Sequence, residues 1–167
     1  MEIQITEWRD AYSEDFKRLS LEWLQKYVEV EPRDIEMIEH PYEVILNKGG
    51  MTWFALADDK VVGTISVLQE ESGEWELAKM AVTEEYKGYG ISNRLIMEAL
   101  AFSRKKGIEK LVLYTNSVLA PAVHQYHKYG FVDVPIMEET YDTADLKMEL
   151  KLNDARPCDS TKFFFFG

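Results

Sequence analysis

Cysteine is almost missing from this chain: Cys158 is the only one among 167 residues, so no disulfide can form within it. Histidine is nearly as scarce. His40, His124 and His127, with a single cysteine, do not make the Cys/His spacing of a zinc site, so no metal is expected. Long apolar runs are missing too. Nothing approaches the roughly 20 consecutive apolar residues that cross a bilayer. The start, "MEIQITEWRD", carries acids where a secretory leader would carry lysines. A soluble, cytoplasmic protein with no membrane partner is the expectation. Positive charge is in short supply as well. The balance of 19 Lys and Arg against 30 Asp and Glu gives a net charge of −11, and a nucleic-acid groove needs a basic stripe against phosphate. Nucleic acid is therefore not an expected partner.

What is present suits one packed domain, with 46% hydrophobic residues and 13% aromatics over this length. "EIQITEW" alternates like a strand, and Phe16, Leu19, Trp23 and Tyr27 recur at the spacing of one helix face. "RDIEMIEH" and "YEVILNK" read as short helices that end at Gly49-Gly50. "MTWFALA", "VVGTISVL" and "WELAKMAV" follow as strands whose short gaps predict an antiparallel meander. A helix over "ISNRLIMEALAFSRKKG" comes next, with Ile91, Leu95, Ile96, Ala99 and Leu100 on one face. Strand "KLVLYTN", a helix opened by Pro121, and strands "FVDVP" and "DLKMELKL" complete the pattern. The domain is placed at 1–152. The remainder, 153–167, is a tail ending in Phe163–Phe166, which could be disordered or could dock on a sheet edge or on a second copy as a homodimer.

Charge is distributed unevenly. Residues 86–130 hold seven bases against two acids, whereas residues 1–85 hold 20 acids against eight bases. The central segment suits an anionic ligand, and the acidic first half suits a cationic one. Trp23, Tyr27 and Tyr42 are candidates to line a pocket for the latter. At the start of the basic segment is "YKGYGISN", a glycine turn between strand and helix. The first N–H groups of a helix lack partners and carry partial positive charge, so such a turn can hold a phosphate. It is not a dinucleotide fingerprint, because Asn93 stands where the third glycine belongs, and no G-K-S/T follows as in a P-loop.

"ELAKMAVTEEYKGYGISNRLIMEAL" together with "LVLYTNSVLAPAVHQYHKYGF" resembles the acetyl-CoA-binding half of the GNAT-type N-acetyltransferase superfamily. Lys87, Gly90 and Ser92 stand at the turn positions [Q/R]-x-x-G-x-[G/A], Asn116 at the end of the next strand, and Tyr126, Gly130 and Phe131 at the last motif. Lysine for Gln/Arg and serine for Gly/Ala depart from the pattern. The resemblance implies a single α/β domain: a mixed, mostly antiparallel sheet of six to seven strands flanked by about four helices, splayed between the fourth and fifth strands. It implies acetyl-CoA as cosubstrate. The N–H groups of Lys87, Gly88, Tyr89, Gly90, Ile91, Ser92 and Asn93 would hold the pyrophosphate. The backbone of Met80, Ala81 and Val82 would pair with the pantetheine arm, and Asn116 would bond its amides. Read without the family, Asn116 is a turn-former before Ser117.

The same resemblance implies an acetyl transfer to a primary amine by direct attack in a ternary complex. Glu76 matches the family's base glutamate, with burial expected to lift its pKa part-way. Tyr126 would protonate the leaving thiolate in preference to Tyr129, with a backbone N–H near Met80 or Ala81 meeting the oxyanion. A non-catalytic acyl-CoA sensor is the alternative, and a nucleotide-binding enzyme a more distant one. Small-molecule and peptide amines both remain open as acceptors.

Overall fold

The computed structural model describes residues 1–137 and 144–152; the tail with Cys158 and Phe163–Phe166 lies outside the described residues. The order is β1 (Ile3–Glu7), α1 (Ser13–Tyr27), α2 (Pro32–Glu39), α3 (Pro41–Val44), β2 (Met51–Ala57), β3 (Lys60–Gln69), β4 (Trp75–Val82), α4 (Ile91–Lys106), β5 (Lys110–Thr115), α5 (Ala120–Lys128), β6 (Val132–Val134) and β7 (Leu146–Lys151). The seven strands form one sheet in the order β1-β2-β3-β4-β5-β7-β6. β1 to β4 run antiparallel as the short gaps require, β4 and β5 are parallel, and β7 inserts antiparallel between β5 and β6. The seven-stranded mixed sheet agrees with the expected fold; among the described residues there are five helices where about four were expected.

Helices cover both faces of the sheet, which is why β2 and β3 are buried along almost their whole length and read as continuous apolar runs. On one face, α4 lays Leu95, Ile96, Ala99 and Leu100 against Trp53, Ala55 and Ile65. On the other, Phe16 and Leu19 of α1 with Met37 of α2 meet Phe54, Leu56 and Leu68. Each fully buried Leu, Ile or Phe contributes roughly 1.5–3 kcal/mol of transfer free energy. The buried stripe of α1 is Phe16, Leu19, Ser20 and Leu24. Trp23 and Tyr27 lie beside it, where the helix passes β4. Pro32 at the first turn and a reciprocal capping box between Glu31 and Asp34 start α2. The expected helix "YEVILNK" divides into the four residues of α3 and a 3₁₀ turn at Leu46–Lys48.

Candidate active site

The sheet opens between its fourth and fifth strands. β4 and β5 are in register only at Trp75↔Leu111 and Glu76↔Val112 and then diverge. Within β4 a bulge sets Lys79 and Met80 opposite the single residue Ile65, because Thr64 pairs with Ala81 and Ser66 with Ala78. Lys79 takes a left-handed φ of 59°, a conformation uncommon outside glycine. The bulge removes Met80 from the β3 register and turns this stretch of backbone towards the gap. Two adjoining cavities fill the opening, of about 140 and 280 Å³, and share Trp23, Met80, Ala81, Leu119 and Ala122 as walls.

The larger cavity ends at the glycine turn. Gly90 caps α4 in the left-handed region (φ 77°), no side chain caps the helix, and the first N–H within it to find a backbone acceptor is that of Arg94, on Gly90 O. The N–H groups of Ile91, Ser92 and Asn93 therefore lack intrahelical acceptors. A Cβ built on Gly88 or Gly90 would meet nothing within 4 Å, so the glycines answer to the turn's positive φ and not to a close approach by protein atoms. An uncapped helix start with clear space before it is what a diphosphate requires. Two details differ from the expected grip. The Lys87 N–H is already bonded to Glu84 O at 3.2 Å, since Glu84–Tyr86 forms a 3₁₀ turn, so the donor set begins after it. The Lys87 ammonium turns towards α1, 2.8 Å from the Tyr27 hydroxyl and 3.4 Å from Glu84.

The side chains of Ser92 and Asn93 are engaged with α5. Gln125 Nε2 donates to Ser92 Oγ at 2.9 Å, and Asn93 Oδ1 accepts from Gln125, Tyr129 and Lys128 at 3.0, 2.8 and 3.3 Å. This clasp occupies the Tyr129 hydroxyl and fixes the helix from which Tyr126 faces the smaller cavity. Burial pushes the Tyr126 phenol up to about 12, so it keeps its proton across the physiological range. His124 and His127 are exposed, His127 against Asp133 at 2.8 Å.

Glu76 also lines the smaller cavity and is only 2% exposed, so it is buried completely where partial burial was expected. Its carboxyl is raised well above the ordinary glutamate range, first by burial and then by a hydrogen bond and charge repulsion from Glu70; Arg33 and Lys79 oppose the shift. Asp34 and Lys79 form a buried ion pair on the same cavity, and Asp34 also accepts from the Glu31 N–H at 3.0 Å. Asn116 lines the cavity as well, but its Oδ1 accepts from the Val118 N–H at 3.0 Å, so the turn-forming role holds.

Of the expected site residues, Met80, Ala81, Val82, Gly88, Gly90, Ile91, Ser92, Asn116, Tyr126, Glu76 and Trp23 line one or both cavities. Lys87 and Tyr27 wall the larger one. That puts Tyr27 on the glycine-turn side, away from Glu76. Tyr89 is 60% exposed and Asn93 belongs to the clasp; neither lines these two cavities. Tyr42 does not either, being bonded to Asp10. Sequence reasoning missed Arg33, Asp34, Glu70, Lys79 and Gln125. A lysine inside the apolar run "WELAKMAV" was the available signal for Lys79.

A family model described as the acetyltransferase (GNAT) family matches residues 5–131. The chain belongs to the GNAT acetyltransferase family. Its β4–β5 splay and glycine turn are features of a GNAT domain on this chain. Curated relatives include human N-acetyltransferase 8B, 30% identical over 112 residues, which are 64% of this chain and 48% of the relative. N-acetylaspartate synthetase of Xenopus tropicalis is 32% identical over 106 residues, 63% of this chain and 38% of the relative. The chain thus spans about half or less of those two proteins. Among solved structures, a GNAT acetyltransferase from Staphylococcus aureus Mu50 superposes with a TM-score of 0.81 at 22% identity, a likeness of fold covering 90% of this chain and 99% of that one. The PaiA N-acetyltransferase of Thermoplasma acidophilum, solved with coenzyme A, gives a TM-score of 0.67 at 25% identity over 90% and 99%.

Proposed function

We propose that this protein transfers an acetyl group from acetyl-CoA to a primary amine by direct attack in a ternary complex. The reading is carried by one arrangement: a sheet opening that joins an uncapped helix start at one end to Glu76 and Tyr126 at the other. The N–H groups from Gly88 to Asn93 hold the diphosphate, and the β4 backbone at Met80, Ala81 and Val82 offers the ladder positions that β5 leaves unfilled. Acetyl-CoA supplies the activated acyl thioester. An amine attacks only when neutral, and alkylamines hold their proton up to about pH 10, so a base must take it. Glu76 is that base. As the carbon–nitrogen bond forms and the carbon–sulfur bond breaks, the Tyr126 phenol donates to the departing sulfur and is restored by the second proton that the acylated nitrogen sheds, and an N–H near Met80 meets the charge gathering on oxygen. Trp23 walls the acceptor end, where a cavity of about 140 Å³ favours a small or slender amine.

Mass spectrometry of products from acetyl-CoA and a panel of primary amines tests the reaction. Acetylated amine is expected. Coenzyme A binding with no product from any amine would leave a binding domain and remove the enzyme. Tyr126→Phe is expected to slow turnover by roughly 10²-fold or more while coenzyme A affinity holds; equal turnover would remove the donor role.

A further inference from the structure

Behind Glu76, on the side away from the cavity, α2 and the end of β3 bring a second acid and one guanidinium against it. Arg33 Nη2 lies 2.5 Å from Glu70 Oε1 and 3.9 Å from Glu76 Oε1. Neither Arg33 nor Glu70 lines the cavities, whereas Glu76 does. Exposure rises along the series: the side chains are 2% exposed at Glu76, 13% at Glu70 and 23% at Arg33. With both acids written as carboxylates, Glu76 Oε1 and Glu70 Oε2 are buried without a donor. Two carboxylates against one guanidinium also leave a negative charge uncompensated. One proton between the acids supplies the missing donor and cancels that charge.

We propose that Glu70 and Arg33 are positioning residues for Glu76: the two acids hold a single proton between them under the Arg33 guanidinium, and Glu70 is its outlet to solvent. This rests on the reading of Glu76 as base. With the proton on Glu70, Glu76 is an ionised base in a buried site. It accepts a proton from the ammonium of the acceptor, leaving a neutral amine, and Glu70 releases its own to water. The pair then holds one proton again. Arg33 remains charged throughout. The cluster is also faced by Asp34 of α2, Lys79 of β4, Tyr114 of β5 and Tyr126 of α5, and exposed Glu36 of α2 lies 3.7 Å from Arg33 Nη1.

The test is a carboxyl ¹³C NMR titration of glutamate-labelled protein, read beside the pH profile of kcat/KM on whichever amine of the panel is acetylated. Signals are assigned by their loss in Glu70→Gln and Glu76→Gln. In the unaltered protein the two carboxyls are expected to move together through shared steps, as coupled sites do. Glu70→Gln should move the Glu76 titration and the acidic limb of kcat/KM to lower pH. Arg33→Gln should move both to higher pH, and Arg33→Lys should restore them. Independent titration of the two acids, or a Glu76 titration unmoved in Glu70→Gln, overturns the proposal. An acidic limb that survives in Glu76→Gln overturns the base reading instead, and the NMR result still decides whether the acids share a proton. Should Arg33→Gln fail to fold, Glu70→Gln and Glu70→Asp carry the test.

Discussion

Gly90 and Gly107 cap opposite ends of α4 with almost the same backbone, φ 77° and 85°, and a Cβ at either would meet nothing within 4 Å. Substituting alanine therefore adds no clash at either site, only the left-handed conformation. That costs roughly 1–2 kcal/mol for an L-residue, against about 0.4–1 kcal/mol returned by a stiffer unfolded chain. A net loss near 1 kcal/mol lowers Tm by about 2–4 °C in a chain of this size. The two variants should match in thermal unfolding. They should differ in affinity for coenzyme A, because only Gly90 precedes the open N–H groups of Ile91, Ser92 and Asn93. Losing one hydrogen bond to a charged group costs about 1.5–3 kcal/mol, so Kd in calorimetry should rise roughly 10- to 100-fold in Gly90→Ala. Gly107→Ala should bind like the unaltered protein. Equal affinity in both variants, with both folded, would refute an anion site at this turn.

Two further outcomes concern stability. Glu76 sits above the ordinary glutamate range, so the folded chain binds its proton more tightly than the unfolded chain does. The stability this group contributes is present below the unfolded value of about 4.3 and is lost as pH rises through the raised folded value. Urea unfolding across that window should show stability declining with pH and a flatter dependence in Glu76→Gln; identical slopes would contradict the burial argument. Asp34→Ala deprives buried Lys79 of its carboxylate and should cost about 3–5 kcal/mol, whereas Asp34→Leu with Lys79→Met should recover most of it. A single-variant loss below about 1 kcal/mol would show the pair to be dispensable.

Periodicity and turn chemistry located every strand, because β2, β3 and β4 are apolar runs bounded by Asp58-Asp59 and by Glu70 to Gly73. Tyr126, which the resemblance favours over Tyr129 as proton donor, lines the smaller cavity, and the Tyr129 hydroxyl donates to Asn93. What escaped was whatever depends on residues distant in the chain. Arg33 and Glu70 are 37 positions apart, and Asp34 and Lys79 are 45. No local pattern announces a pairing across that separation. The bulge at Lys79 and Met80 was equally silent, since an extra residue in one strand shows only once its neighbour is in register. Trp23 and Tyr27 followed the helical spacing of the core yet line the cavities, because the buried stripe of α1 veers to Leu24.

The polar clasp at Asn93 has a bearing on ligand length. Gln125, Lys128 and Tyr129 converge on one oxygen in the opening turn of α4, so the helix bearing Tyr126 is tied to that turn. The clasp holds the span from Gly90 to the phenol, and the pair of helices works as a caliper set to one arm length. Coenzyme A analogues one methylene shorter or longer in that arm would present their sulfur off the mark even where their phosphates seat normally.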